Sequence, residues 1–215
     1  MNKKIIEERI KNGREYRSMT MEIRSIEGNA DDFIVTGYAC TFNHEYELYR
    51  GKTYVVKESV DINAFSDCDM SDVIMQYDHE GRVFARTRNK TLEVCVDDKG
   101  LKITANLGGT EIGRQLYEEI KGGYTDRMSF GFHVFKDKWV TTEADNGVIV
   151  ESRVIEGVDK LYDVSAVSIP ANDATSISVR NLSDGVIAKL KAERLMAEKR
   201  LNIRKELLKS MLSEV

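Results

Sequence analysis

The 215-residue sequence predicts a mainly β fold with peripheral helices, an α+β arrangement built on a closed or nearly closed antiparallel β-barrel, followed by a long C-terminal helix. Three observations lead there. Runs rich in β-branched and aromatic residues recur between residues 33 and 169, separated by Gly, Asn and Asp clusters that punctuate strands and turns. A single internal segment carries a clear helical repeat, and beyond Gly185 there is neither Gly nor Pro, only a run dominated by Lys, Arg, Glu, Leu, Ala and Met. So many strands with so few helices favour closure, because a barrel removes exposed edge strands.

The elements follow in order. Residues 1–20 hold many charges and few large apolar side chains, which suits a charged N-terminal extension, exposed as a helix or without fixed structure. The barrel domain is expected over residues 21–181, with strand runs at Phe33 to Phe42, Tyr54 to Val60, Val73 to Tyr77, Thr91 to Val96, Leu101 to Leu107, Met128 to Phe135, Val148 to Ile155 and Leu161 to Ile169. A helical turn covers Asp61 to Phe65, and Asp97-Asp98-Lys99-Gly100 reads as a hairpin turn in which Gly100 can take a positive φ. Thr110 can cap a helix whose apolar residues Ile112, Leu116 and Ile120 recur four apart, and Gly122-Gly123 stops it. The C-terminal helical extension occupies residues 182–215. Six of its eight heptad-spaced positions Ile187, Leu190, Arg194, Ala197, Leu201, Arg204, Leu208 and Met211 are apolar, which suits a partner helix or the chain's own domain.

Composition excludes several classes of function. The 32 basic against 36 acidic side chains give a net charge of -4, so a partner held by bulk positive charge, nucleic acid above all, is not expected. No apolar run approaches the roughly 18 residues of a membrane span. The start, MNKKIIEERIK, is charged where a signal peptide needs an apolar stretch, which points to the cytoplasm. Cys40, Cys68 and Cys95 are scattered without a CxxC, so they read as reduced, buried thiols. Three histidines and three cysteines without ligand spacing give no reason to expect a metal, and no motif calls for a cofactor.

The search for chemistry is therefore short. In Met128-Ser129-Phe130-Gly131-Phe132, strand alternation puts the three large apolar side chains on one face and Ser129 with Gly131 on the other. A hydroxyl beside a residue without a side chain suits a nucleophile that must be approached closely by a substrate backbone, although a half-buried strand with a small polar face has the same pattern. A serine needs a base, usually histidine. His133 lies four positions along the same strand, about 13 Å from Ser129 at strand rise, too far for proton transfer. His79, in Asp78-His79-Glu80-Gly81 at the end of an apolar strand, is better placed, and His44 in Phe42-Asn43-His44-Glu45 is the reserve. Asp163 alternates onto a face with Leu161, Ser165, Val167 and Ile169, where a buried carboxylate needs a partner. That partner could be an imidazole or an arginine such as Arg82, Arg86, Arg127 or Arg153, and Glu151 and Glu156 are rival carboxylates.

Taken together, these segments resemble the prohead (capsid maturation) proteases of tailed bacteriophages, a family distantly related in fold to the herpesvirus assemblins. The resemblance is carried in order by Gly37-Tyr38-Ala39 with Phe42-Asn43, Asp61 to Phe65, Tyr77-Asp78-His79-Glu80, Thr91-Leu92, Asp98-Lys99-Gly100-Leu101, Gly122 to Phe132, Asp163-Val164-Ser165 and Ile169-Pro170-Ala171-Asn172. It implies an assemblin-like barrel and a serine endopeptidase that cleaves the scaffolding segment or capsid precursor, and then itself, in the procapsid assembling in the host cytoplasm. By motif position it implies His79 as general base, Ser129 as nucleophile and Asp163 as third member, with major capsid protein precursor as partner and self-association possible. The assemblin relatives use a histidine in the third role, which keeps His133 and His44 in view. Arg82-Val83-Phe84-Ala85-Arg86 departs from the leucine-glycine-arginine stretch frequent in the family. Gly131 and Arg127 are candidates to stabilise the oxyanion.

Two alternatives compete. A non-catalytic capsid assembly or scaffold-like β-barrel protein would use Ser129 and His79 structurally. A cysteine hydrolase would use Cys40 or Cys95, but both sit where a buried inert thiol is the default.

Overall fold

The computed structural model describes residues 12–22, 24–25, 33–144, 147–168 and 196. The chain divides into two compact units, Met1–Leu182 and Ser183–Val215, and the architecture below is that of the first. Its strands are β1 (Arg14–Glu22), β2 (Arg24–Ser25), β3 (Ile34–Thr41), β4 (Tyr46–Arg50), β5 (Tyr54–Val60), β6 (Ile74–Tyr77), β7 (Glu80–Arg86), β8 (Leu92–Val96), β9 (Gly100–Asn106), β10 (Arg127–Glu143) and β11 (Ile149–Val167), with helix α1 (Glu111–Lys121) between β9 and β10.

The expected closed antiparallel barrel is not what the chain forms. There are two sheets, one of seven strands along the path β1-β10-β11-β5-β4 with β6 and β7 branching from β11, and one of four strands in the order β2-β3-β9-β8. The reason lies in β11, which is 19 residues long. Its first part pairs with β5 from Ile149↔Tyr54 to Ile155↔Val60 and its last part with β6 from Asp163↔Ile74 to Ala166↔Tyr77, both parallel. One long strand shared by two successive partners makes the sheet branch instead of closing, and the parallel pairing makes it mixed.

Two expected runs, Val148 to Ile155 and Leu161 to Ile169, form this single strand. Gly157 resembles a break, yet it pairs with Lys136, and a Cβ there would lie 2.7 Å from the Phe135 ring. The glycine is required by a ring lying across the strand, not by a turn. Register shifts between Gly131 and Asp137 on β10 absorb the irregularity. Gly100 is a similar case. Its φ is not positive, and a Cβ would lie 2.0 Å from the Cys40 carbonyl oxygen, so close packing on β3 is what excludes a side chain.

Helix α1 forms as its sequence dictates. Thr110 Oγ1 accepts from the Gly113 N–H at 3.1 Å, Leu116, Tyr117 and Ile120 are buried, and Gly123 leaves the helix at φ +73°. The Asp61 to Phe65 segment is a turn, with the Ala64 N–H donating to the Asp61 carbonyl at 3.0 Å. No long C-terminal helix is found among the described residues; nearly all of residues 182–215, where it was expected, lies outside them.

One hydrophobic core joins both sheets and the helix, drawing Val35, Ala39 and Ile103 from the smaller sheet, Met75, Phe130 and Val164 from the larger, and Leu116 and Ile120 from α1. The charged segment before residue 20 does not stay outside it. Residues 14–19 pair with 128–133 of β10, and Tyr16 and Arg17 are buried.

Candidate active site

Four neighbouring strands set the geometry. Across β1, β10, β11 and β6 the register aligns Ser18, Ser129, Ser165 and Gln76 in one row, and Tyr16, Gly131, Asp163 and Ile74 in the next. Residues in one row share a face, and successive rows two apart share it as well. Met128, Phe130 and Phe132 fill the core side, which leaves Ser129, Gly131, Asp163 and Ser165 together on the other. Leu161 was expected on the face of Asp163. Its pairing with Phe132, while Asp163 pairs with Gly131, shows a register shift at that point that turns Leu161 into the core.

His79 reaches this face from the β6–β7 connection. Tyr77 pairs with Glu80, so Asp78 and His79 form a two-residue hairpin turn with φ of +48° and +61°. Asn-Gly would be the usual choice, and a histidine in the left-handed region costs roughly 1–2 kcal/mol. Three contacts hold the turn: the Asp78 N–H donates to the Ala166 carbonyl at 3.0 Å, and the Ser168 N–H and hydroxyl each donate to the Asp78 carboxylate at 3.2 Å.

The side chains meet in a chain. His79 Nε2 lies 2.5 Å from Ser129 Oγ, and His79 Nδ1 lies 2.5 Å from Asp163 Oδ1. Ser165 Oγ donates to Asp163 Oδ1 at 3.0 Å and also approaches His79 Nδ1 at 3.2 Å. The Tyr16 ring packs edge-on against the imidazole at 4.5 Å. Ser129 is 1 % exposed, His79 3 % and Asp163 0 %. Burial pushes the Asp163 carboxyl up, but the His79 ring, the Arg14 guanidinium and the Ser165 hydroxyl outweigh it and hold the group below the usual carboxylate range. With Asp163 ionised against Nδ1–H, Nε2 is the nitrogen free to take a proton from Ser129. The arrangement can perform acyl transfer by a serine hydroxyl with a histidine base oriented by a carboxylate.

The reserve candidates lie elsewhere. His44 is exposed, and His133 Nδ1 is engaged by Asp159 at 2.7 Å. Glu151 accepts from the Thr141 hydroxyl at 2.7 Å, and Glu156 pairs with Lys136. Arg86 binds Asp72, Arg127 is beside Asp126, and Arg82 is exposed. Arg153 belongs to a buried ionic cluster with Glu15, Arg17 and Glu58. Gly131 leaves no open surface for a substrate: a Cβ there would come within 2.5 Å of Asp163 Oδ2 and 2.8 Å of Tyr16 Cε1. Cys40 is buried, but Cys68 is half-buried and Cys95 exposed, so the expectation of three buried thiols holds only for the first. Burial, then the nearby Glu58, pushes the Cys40 thiol far above its ordinary range.

Sequence reasoning missed Arg14, Tyr16, Arg17 and Gln76. Arg14 Nη2 donates to Asp163 Oδ2, and the Arg17 carbonyl accepts from Ser129 Oγ at 2.9 Å. Gln76 donates to the Gly81 carbonyl at 3.3 Å while its own Oε1 is buried without a hydrogen-bond partner. The period-two run Tyr16, Ser18 and Thr20, set between Glu15, Arg17, Met19 and Met21, was the available signal for β1. Among the described residues no group of His, Cys, Asp and Glu side chains is placed to hold a metal ion, and no helix is long and apolar enough to cross a membrane.

Comparison with known proteins gives one match. The sequence model of the family described as caudovirus prohead serine protease matches residues 19–187. No curated protein and no solved structure matches the chain, and a relation to the herpesvirus assemblins is not shown.

Proposed function

We propose, from the premise that this chain belongs to the caudovirus prohead serine protease family, that Ser129, His79 and Asp163 are its nucleophile, general base and orienting acid. Membership makes the chain a serine protease of capsid maturation, acting on capsid or scaffold precursor proteins in the assembling procapsid. The finer reading is that it cuts the scaffolding segment of the major capsid protein precursor, or a separate scaffold, and then itself. The observation that carries the residue assignment is the continuous contact Ser129–His79–Asp163, at 2.5 Å for each link.

In this reading His79 Nε2 takes the Ser129 proton as Oγ attacks the scissile carbonyl, and Asp163 stabilises the imidazolium that results. The imidazolium returns the proton to the leaving amine, and water activated by the same nitrogen hydrolyses the acyl-enzyme. Ser165 supports the acid through its 3.0 Å bond to Asp163 Oδ1. Because Ser129 is 1 % exposed, a peptide reaches it only when the groups packed over it move apart.

The test is intact mass over time for the wild-type chain and Ser129→Ala, each co-expressed with its capsid precursor. Defined truncation of either chain in the wild type alone supports the assignment. If both stay whole, or both are cut alike, Ser129 is not the nucleophile and a non-catalytic assembly role moves ahead.

A further inference from the structure

We infer that Arg14 is a positioning residue for the proposed reaction: it holds the second carboxylate oxygen of Asp163 so that the first stays on His79. The inference rests on the assignment of Ser129, His79 and Asp163 above. Arg14 lies before the residues matched by the family model, 19–187, so nothing in that match assigns it a role.

The contacts divide the carboxylate between two sides. Oδ1 receives His79 Nδ1 at 2.5 Å and the Ser165 hydroxyl at 3.0 Å, while Oδ2 receives Arg14 Nη2. A buried carboxylate held at one oxygen can still turn about its terminal bond, whose torsional preference is broad. Charge-assisted bonds at both oxygens remove that freedom. The guanidinium is fixed in turn, lying over the Tyr162 ring at 4.3 Å and the Tyr16 ring at 5.1 Å, so it arrives pre-oriented by β1 and β11. Gly131 makes the room, since a Cβ there would stand 2.5 Å from Asp163 Oδ2 and 3.1 Å from Arg14 Nε.

A staple of β1 to the sheet would be the simpler role, but β1 does not need one here. Its backbone is already paired with β10 from Arg14↔His133 to Met19↔Met128, and Arg17 ties it to Glu58. Arg14 adds little to that attachment and touches the acid directly. Its effect therefore passes through Asp163 and appears in turnover more than in substrate binding.

The experiment is a double-mutant cycle of Arg14→Ala and Asp163→Asn, with Arg14→Lys, measured on a peptide spanning a junction mapped from precursor cleavage. Arg14→Ala is expected to lower kcat about 10–100-fold, by analogy with residues that hold a metal-ligating side chain in place, with KM within about twofold. Arg14→Lys recovers part of the loss, and in the Asp163→Asn background the Arg14 change costs nothing further. The downfield Nδ1–H proton signal of His79, read by NMR without any turnover, is expected in the wild type and Arg14→Lys and to shift upfield in Arg14→Ala. Equal losses in both backgrounds, or an unmoved proton signal, would overturn the inference. Ser129→Ala run alongside separates the cases: undiminished cleavage there removes the reading on which Arg14 depends, whereas abolished cleavage with an additive cycle removes only the role of Arg14.

Discussion

The Ser129 hydroxyl oxygen lies 2.9 Å from the backbone carbonyl oxygen of Arg17, on the strand that pairs with β10. The hydroxyl has one proton and two acceptors in reach, this carbonyl and His79 Nε2 at 2.5 Å. When the proton points to Arg17, only a ring bearing Nε2–H can donate to Ser129. Attack requires it to point to His79 instead. The resting orientation of the proposed nucleophile is thus tied to the position of β1.

Arg17 is itself fixed by a buried ionic cluster. Its guanidinium donates to Glu58 Oε1 at 2.5 Å and Glu15 Oε2 at 2.5 Å, and Arg153 donates to the same two carboxylates at 2.7–2.9 Å. Glu58 is 0 % exposed and also accepts from the Tyr46 hydroxyl. Glu58→Gln leaves two buried guanidinium groups short of a charge and is expected to cost about 3–5 kcal/mol. Thermal unfolding should show a drop of roughly 10 °C for a unit of this size, and an unchanged midpoint would mean that the cluster is replaceable.

Stability should fall in acid in a defined window. Burial raises the Glu15 carboxyl, but Arg17 and Arg153 outweigh it and bring it from 4.5 to about 2. Asp163 is lowered as well. A carboxyl depressed on folding contributes stability that is fully present above its unfolded value and lost as pH falls through the folded one. The unfolding midpoint is therefore expected to be level above pH 5 and to fall between about pH 4.5 and pH 2. Glu15→Gln should flatten part of that decline, and a midpoint as steep as the wild type's would remove Glu15 from the account.

Gly131→Ala tests the crowding around the acid. The added methyl would lie 2.5 Å from Asp163 Oδ2 and 2.8 Å from Tyr16 Cε1, both fixed by their own contacts. The expected result is a loss of about 1–3 kcal/mol of stability, as for other overpacked sites, together with a fall in kcat. Full activity would show that the carboxylate can move without consequence.

Thiol reagents separate the serine reading from a cysteine hydrolase. Cys95 is exposed, Cys40 is buried, and Cys68 is half-buried with its thiol pushed by burial up to about 12. Iodoacetamide at neutral pH should modify Cys95 first, seen as one added mass, while precursor cleavage continues at the wild-type rate. Cleavage lost in step with that mass would reinstate the cysteine mechanism.

Several features were legible from residue order because they depend on neighbours a few positions apart. Thr110 and Gly122-Gly123 bound α1, and the alternation in Met128 to Phe132 puts the aromatic side chains in the core and Ser129 opposite them. The sequence also named His79, Ser129 and Asp163 as candidates and the family by resemblance. Four strands escaped it, of which the two-residue β2 is too short to show alternation. β1, β4 and β7 are rich in charge, and charge reads as exposure until a partner is known; Arg17 is buried because Glu58 is, and Glu58 lies 41 residues away.

What the sequence by itself determined was the set of strands with apolar alternation, the one capped helix and the residue types able to carry the chemistry. The tertiary structure decided that the sheet branches at β11 instead of closing, that β1 joins it, and that Arg14 rather than a weighed arginine meets Asp163. The physical reason is sequence separation. The contacts of the site join residues 50, 84, 112 and 149 positions apart, distances at which no local periodicity carries information and only the register of paired strands selects the neighbour.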